Sequence, residues 1–151
     1  MLPAQDPSEV ASTGSGFISP DTNDPTARNT TRACAAADLD ASLRVHWNIY
    51  PWWVQKKGID GFPAESFAAA MHAAVPFVDE LVGRLLPELG VVVLMGKKAQ
   101  DGWDRYVATG GLPPAGLRVL RCPHPSPLAY PKGDNARLII DALSEARRLA
   151  V

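Results

Sequence analysis

Three side chains of different chemistry stand far apart in this chain, each in a short turn-forming or stiffened context. They are Asp6 in Gln5-Asp6-Pro7, Asn48 after Trp47, and His124 in His124-Pro125-Ser126-Pro127-Leu128. A carboxylate can orient or deprotonate a water, an amide can donate and accept at once, and an imidazole N–H can polarise an oxygen. Gathered in one crevice, they could hold a pyrimidine base and aim a water at the sugar attached to it. His124 is the strongest of the three. Prolines at 123, 125 and 127 fix their own φ and restrict the residue before each, and a stiff loop suits a residue that must direct one nitrogen at a substrate atom. Each group also has a plainer reading when taken alone. The histidine segment can be a proline-rich turn, Asp6-Pro7 a turn starter, and Asn48 an Asx cap on a strand end. Only a fold that gathers them makes them informative.

The elements that must position them follow from periodicity. Residues 1–23 are rich in Ser, Thr, Gly, Pro and Asp and read mainly as loop. Asp24-Pro25 is an N-cap with proline in the first turn, opening a helix to about residue 37. Alternation of Val45, Trp47 and Ile49 against Arg44, His46 and Asn48 predicts a strand over 43–49, ended by Pro51-Trp52-Trp53. A polar loop over 54–63 precedes a helix over 64–89, with Phe67, Met71, Val75, Val78, Val82 and Leu85 at helical spacing. Pro76 should kink or divide that helix, and Pro87 should end it. The apolar run 91–95, closed by Gly96, predicts a strand covered on both faces. A helix over 98–107, a turn over 110–114 and a strand over 117–122 lead to the His124 loop. The last helix, 133–150, carries Leu138, Ile139, Leu143 and Leu149 on its apolar face. Strands alternating with helices imply βαβ units and a parallel sheet, whose ligands bind beyond the carboxyl ends of the strands. Asn48 and His124 both fall there.

Composition excludes some classes. The 151 residues are 46% hydrophobic and 21% charged, as in an ordinary globular domain, and the whole chain reads as one domain. Fifteen basic and sixteen acidic residues give a formal charge of −1, so any nucleic-acid contact must come from a local patch. Cys34 and Cys122 are too few for a cysteine-only metal cluster, and two buried free thiols of a cytoplasmic protein is the simpler reading. The sequence shows neither a basic-then-apolar leader nor an apolar run of about 18 residues, which points to a chain that is neither secreted nor membrane-spanning.

The motifs, taken in order, resemble those of the uracil-DNA glycosylases. HPSPL over 124–128 looks like that family's closing signature, and AQDPS over 4–8 is similar to its opening water-activating motif. Gly16-Phe17, Trp47-Asn48 and VVVLMGKKAQ over 91–100 fall in family order between them, so the likeness spans nearly the whole chain. The resemblance implies an α/β fold with a short parallel sheet flanked by helices. It also implies hydrolysis of the N-glycosidic bond of uracil in DNA, with no metal or organic cofactor, by a monomer. Asp6 would orient the attacking water and steady positive charge on the sugar, while His124 would donate to uracil O2 as negative charge collects there. Asn48 would read N3–H and O4, and Phe17 would stack on the flipped ring. Gln5 would line the pocket through its backbone. Ser126 would bond a phosphate, and Leu128 would wedge into the gap in the duplex. Lys97 and Lys98 offer a phosphate contact or simply a solvated turn.

Two departures stand out. Ser8 occupies a position where the best-known branch carries a tyrosine that excludes thymine, so Tyr130 or Trp52 would have to fill that space. The second lies at the amino end, where only Met1-Leu2-Pro3-Ala4 precede the first motif. A central strand of typical length, about 5–6 residues, does not fit there. The expectation is therefore a sheet without its first strand and a natural chain that starts further upstream. Two other readings remain open from sequence: a DNA-binding remnant without turnover, and a hydrolase of free nucleosides.

Overall fold

The structure, a computed structural model, describes residues 1–4, 24–52, 54 and 66–150. Its elements are β1 (Leu2–Ala4), α1 (Pro25–Ala36), β2 (His46–Asn48), α2 (Phe67–Glu80), β3 (Val91–Met95), α3 (Lys97–Ala108), β4 (Arg118–Cys122) and α4 (Asn135–Leu149). The protein is of the mixed α/β class that the alternating pattern predicts.

All pairing is parallel. β1 pairs with β2 in the register Leu2↔His46, Pro3↔Trp47 and Ala4↔Asn48. β3 pairs with β4 from Val91↔Arg118 to Met95↔Cys122. Met1 joins the two pairs. Its amino nitrogen donates to Val91 O at 2.8 Å, and Val93 N donates to Met1 O at 2.9 Å, which is a parallel bridge opposite Val92. The pairing thus makes two two-stranded parallel sheets, which Met1 joins edge to edge so that the strands lie in the order β2-β1-β3-β4. Strand order reverses between β1 and β3, and in open α/β sheets the ligand crevice lies beyond the carboxyl ends at such a switch point.

The expected absence of the first strand is thus corrected. A three-residue strand suffices because both of its edges are occupied. Leu2 N donates to Val45 O at 2.8 Å on one side, and Met1 bonds to β3 on the other. Leu2 itself is only 3% exposed, so burial supports what a short hydrogen-bond ladder alone would not.

The two faces of β3 explain its uninterrupted apolar sequence. Val92 and Leu94 face a cluster containing Ile49, Met71, Val78, Trp103 and Tyr106, beneath α2 and α3. Val91, Val93 and Met95 face Leu2, Cys34, Ile139 and Leu143, beneath α1 and α4. Asp24 caps α1, its Oδ2 accepting from Ala27 N at 3.0 Å, and Ser66 caps α2 through Ala69 N at 3.1 Å.

Several boundaries and faces differ from the sequence expectation. The strand over 43–49 shortens to His46–Asn48, because its partner β1 offers only three residues and Asp40 caps a 3₁₀ turn at Ala41–Leu43. α2 continues through Pro76 to Glu80, where a π-helical turn, Leu81–Leu85, takes over. The proline thus does not divide the helix, and Met71, Ala74 and Val78 on both sides of it are buried. In α4 the buried row is Ile139, Leu143 and Ala146, and Leu138 turns outward. Leu85, expected to face inward, is likewise exposed. No helix among the described residues is long and apolar enough to cross a membrane.

Candidate functional site

The parallel register brings Asn48 and the His124 loop to one edge of the sheet. Asn48 is the last residue of β2 and Cys122 the last of β4, level with each other across β1 and β3. Three strand spacings of about 4.8 Å separate their backbones by roughly 14 Å. Asn48 is 3% exposed, one of two buried polar residues among the described core. The chain leaves β1 at Ala4, directly beside Asn48. Gln5, Asp6, Ser8 and Phe17 lie outside the described residues.

β4 delivers the histidine, and backbone contacts from α3 hold it. Cys122 O accepts from Gly96 N at 2.9 Å and from Gln100 Nε2 at 3.1 Å. The imidazole then lies directly against Gly96, the residue that caps α3. A Cβ at Gly96 would sit 2.7 Å from His124 Cβ and 2.9 Å from Cδ2, and the backbone there has φ of 89°. Only glycine satisfies both conditions.

Inside the loop, Ser126 N donates to His124 Nδ1 at 3.1 Å. A nitrogen that accepts carries no proton, so the neutral ring bears its hydrogen on Nε2 and presents a donor there. Burial lowers the His124 pKa from its ordinary value. Lys98 on α3 adds to the lowering, and Asp24 opposes it. The positive end of α3 beside the ring acts in the same sense as Lys98. The group is thus a neutral hydrogen-bond donor at physiological pH, half-buried and fixed in one tautomer.

The rest of the loop folds into a turn in which Ala129 N and Tyr130 N both donate to Ser126 O, at 3.0 and 2.8 Å. Asn135 Nδ2 ties Ala129 O to the start of α4 at 2.8 Å. Ser126 is half-buried, and Leu128 is left 79% exposed at the tip. Tyr130 packs against the α1–α4 cluster, and Trp52 meets the Phe77 ring edge-on. Both cysteines are buried free thiols, as expected, and burial pushes Cys122 up to about 12, which makes it unreactive. Among the described residues no group of three or more His, Cys, Asp or Glu is arranged to hold a metal ion.

Sequence reasoning missed Asn29. Its Nδ2 donates to Pro125 O at 2.9 Å across 96 residues of chain. The available signal was faint: asparagine is a poor residue for a helix interior and suggests another use for its side chain. Gly96 was read as a strand terminator, and its contact with the ring needed coordinates.

Comparison of the chain with protein-family models, curated proteins and solved structures finds no match in any of the three. The α/β class and the site geometry are therefore the ground for a functional reading.

Proposed function

We propose that this protein is a DNA glycosylase that hydrolyses the N-glycosidic bond of uracil, with a uracil-DNA glycosylase-like arrangement of its sheet and loops. The observation that carries the reading is the Ser126 N–H bond to His124 Nδ1, which leaves Nε2–H as a fixed, neutral donor at the carboxyl edge of the sheet. A uracil leaving group gathers negative charge on O2 as its bond to the sugar breaks. A preset donor strengthens as that charge grows and so lowers the barrier rather than merely tightening binding.

Other features support the same reading. Asn48, buried at the same edge, has an acceptor and a donor that match uracil N3–H and O4 and mismatch cytosine. Leu128, apolar yet exposed on a turn anchored to α4, is suited to fill the gap left by an extruded nucleotide. Asp6, two residues beyond β1, would orient the water on the sugar's far face, with Phe17 stacking on the base, Gln5 lining the pocket and Ser126 meeting a phosphate.

The test is incubation of the chain with a uracil-bearing oligonucleotide, followed by alkaline cleavage of abasic sites. His124→Ala and Asp6→Asn should each slow uracil release by about 10²–10⁴-fold while binding to abasic DNA persists. Cleavage by both variants at the parent rate would refute the assigned roles.

A further inference from the structure

One peptide group in the His124 loop is engaged at both ends. The Pro125–Ser126 peptide donates its N–H to His124 Nδ1 at 3.1 Å and accepts, on the Pro125 carbonyl, from Asn29 Nδ2 at 2.9 Å. Asn29 sits in the second turn of α1, and Pro125 is buried, so the contact comes from the helix layer beneath the loop rather than from the loop itself.

We infer that Asn29 is a positioning residue for His124, acting through this peptide to set the tautomer and orientation of the imidazole. Two consequences follow from the geometry. Pro125 fixes its own φ but leaves ψ free, and ψ decides where the next N–H points. A donor on the carbonyl removes that freedom, because rotating the peptide would break both hydrogen bonds together. Bonds in series also polarise one another, so donation to the carbonyl makes the Ser126 N–H a better donor to Nδ1. The remaining anchors act elsewhere: Gln100 holds Cys122 O and Asn135 holds Ala129 O, leaving Asn29, among the described residues, as the side chain on the peptide that meets the ring.

The charged groups facing the imidazole among the described residues are Lys98 of α3 and Asp24 at the cap of α1. Neither is altered by Asn29→Ala or Asn29→Gln, whereas Asn29→Asp adds a carboxylate of its own. Loss of its amide should let the Ser126 N–H swing away, free Nδ1 to take a proton, and raise the His124 pKa.

The measurement is a long-range proton–nitrogen correlation spectrum of the full chain, labelled with ¹⁵N at histidine, followed from pH 5 to 9. The parent should show His124 with hydrogen on Nε2 and Nδ1 as acceptor. Asn29→Ala should show mixed tautomers and the upward shift. Asn29→Asp, nearly isosteric but without a donor, should show mixed tautomers, which are read there instead of the pKa because the new carboxylate raises that on its own. Asn29→Gln, which keeps a donor, should move back toward the parent pattern. Asn29→Asp keeps the measurement open where the alanine variant does not fold. An unchanged His124 pattern in the folded variants overturns the inference. The catalytic arm rests on the proposed glycosylase reading: kcat on uracil DNA should fall about 10-fold with little change in KM. Altered tautomers in a chain that releases no uracil would sustain the role of Asn29 and refute the glycosylase reading instead.

Discussion

Two residues with no ionisable group decide how His124 behaves. Gly96 lets the ring pack against the start of α3, and Ser126 supplies the N–H that fixes its tautomer. Replacing Gly96 by alanine would place a methyl group inside contact distance of the imidazole, on a backbone conformation that L-residues rarely adopt. Strain and overpacking together should cost about 2–4 kcal/mol, measurable as a lower midpoint in urea unfolding. The same change should weaken any uracil release disproportionately, since the added methyl presses on the ring assigned to the leaving group. A histidine between prolines was visible in the sequence as a stiff, directed group. Its tautomer was not, because that depends on which backbone N–H the folded loop brings to Nδ1.

Among the elements, β1 is the most exacting. It is three residues long and lies between two other strands, and Met1 just before it carries an amino group that donates to Val91 O from a buried position. Burial lowers that amine from 8.0 to about 6. The sign is that of a base whose folded pKa is depressed. Above pH 8 the amine is neutral in both states and burial carries no charge penalty. As pH falls toward 6, the unfolded chain takes up the proton first and stability is lost. For this chain the loss between pH 8 and 6 should be about 2 kcal/mol, read from urea midpoints across the range. Acetylation of the amino end should remove most of that slope between pH 6.5 and 8. Burial lowers His46 and His124 in the same direction, which extends the decline below their ordinary range.

For the molecule as a whole, the fit between layers matters most where α3 meets the chain beyond β2. A Cβ at Gly102 would lie 2.4 Å from Ile49 Cγ2, so the helix seats against the sheet only because that position carries no side chain. Gly102→Ala should destabilise the protein by about 1–3 kcal/mol despite its better helix propensity. Ile49→Ala removes the Cγ2 methyl that the new side chain would meet, so Gly102→Ala should cost less in that background than in the parent. A double-mutant cycle by thermal or urea unfolding measures this coupling, and purely additive effects would mean the two residues do not touch. On the same helix, Tyr106 donates to Asp79 of α2, and Asp79 also accepts from Leu112 N at 2.8 Å, which ties α3 to α2 through a single carboxylate.

Local chemistry made much of this legible. Five apolar residues closed by Gly96 can only be a strand covered on both faces, and the caps at Asp24 and Pro25 mark a helix start in any context. Parallel βαβ order followed from alternation alone, and with it the placement of Asn48 and His124 at carboxyl ends. What sequence could not determine was anything that depends on a distant partner. A strand of three residues is too short to show a period, and exists only because β2 and β3 pair with it. Leu138 and Leu85 carry the right residue type but face outward, since spacing alone defines a stripe only to within a residue or so of its edge. Asn29 reaches Pro125 across most of the chain, and no pattern local to either residue records that meeting. Short-range preference is written in adjacent residues, whereas register, the facing of a ring and the partner of an amide are set by packing among segments far apart in the chain.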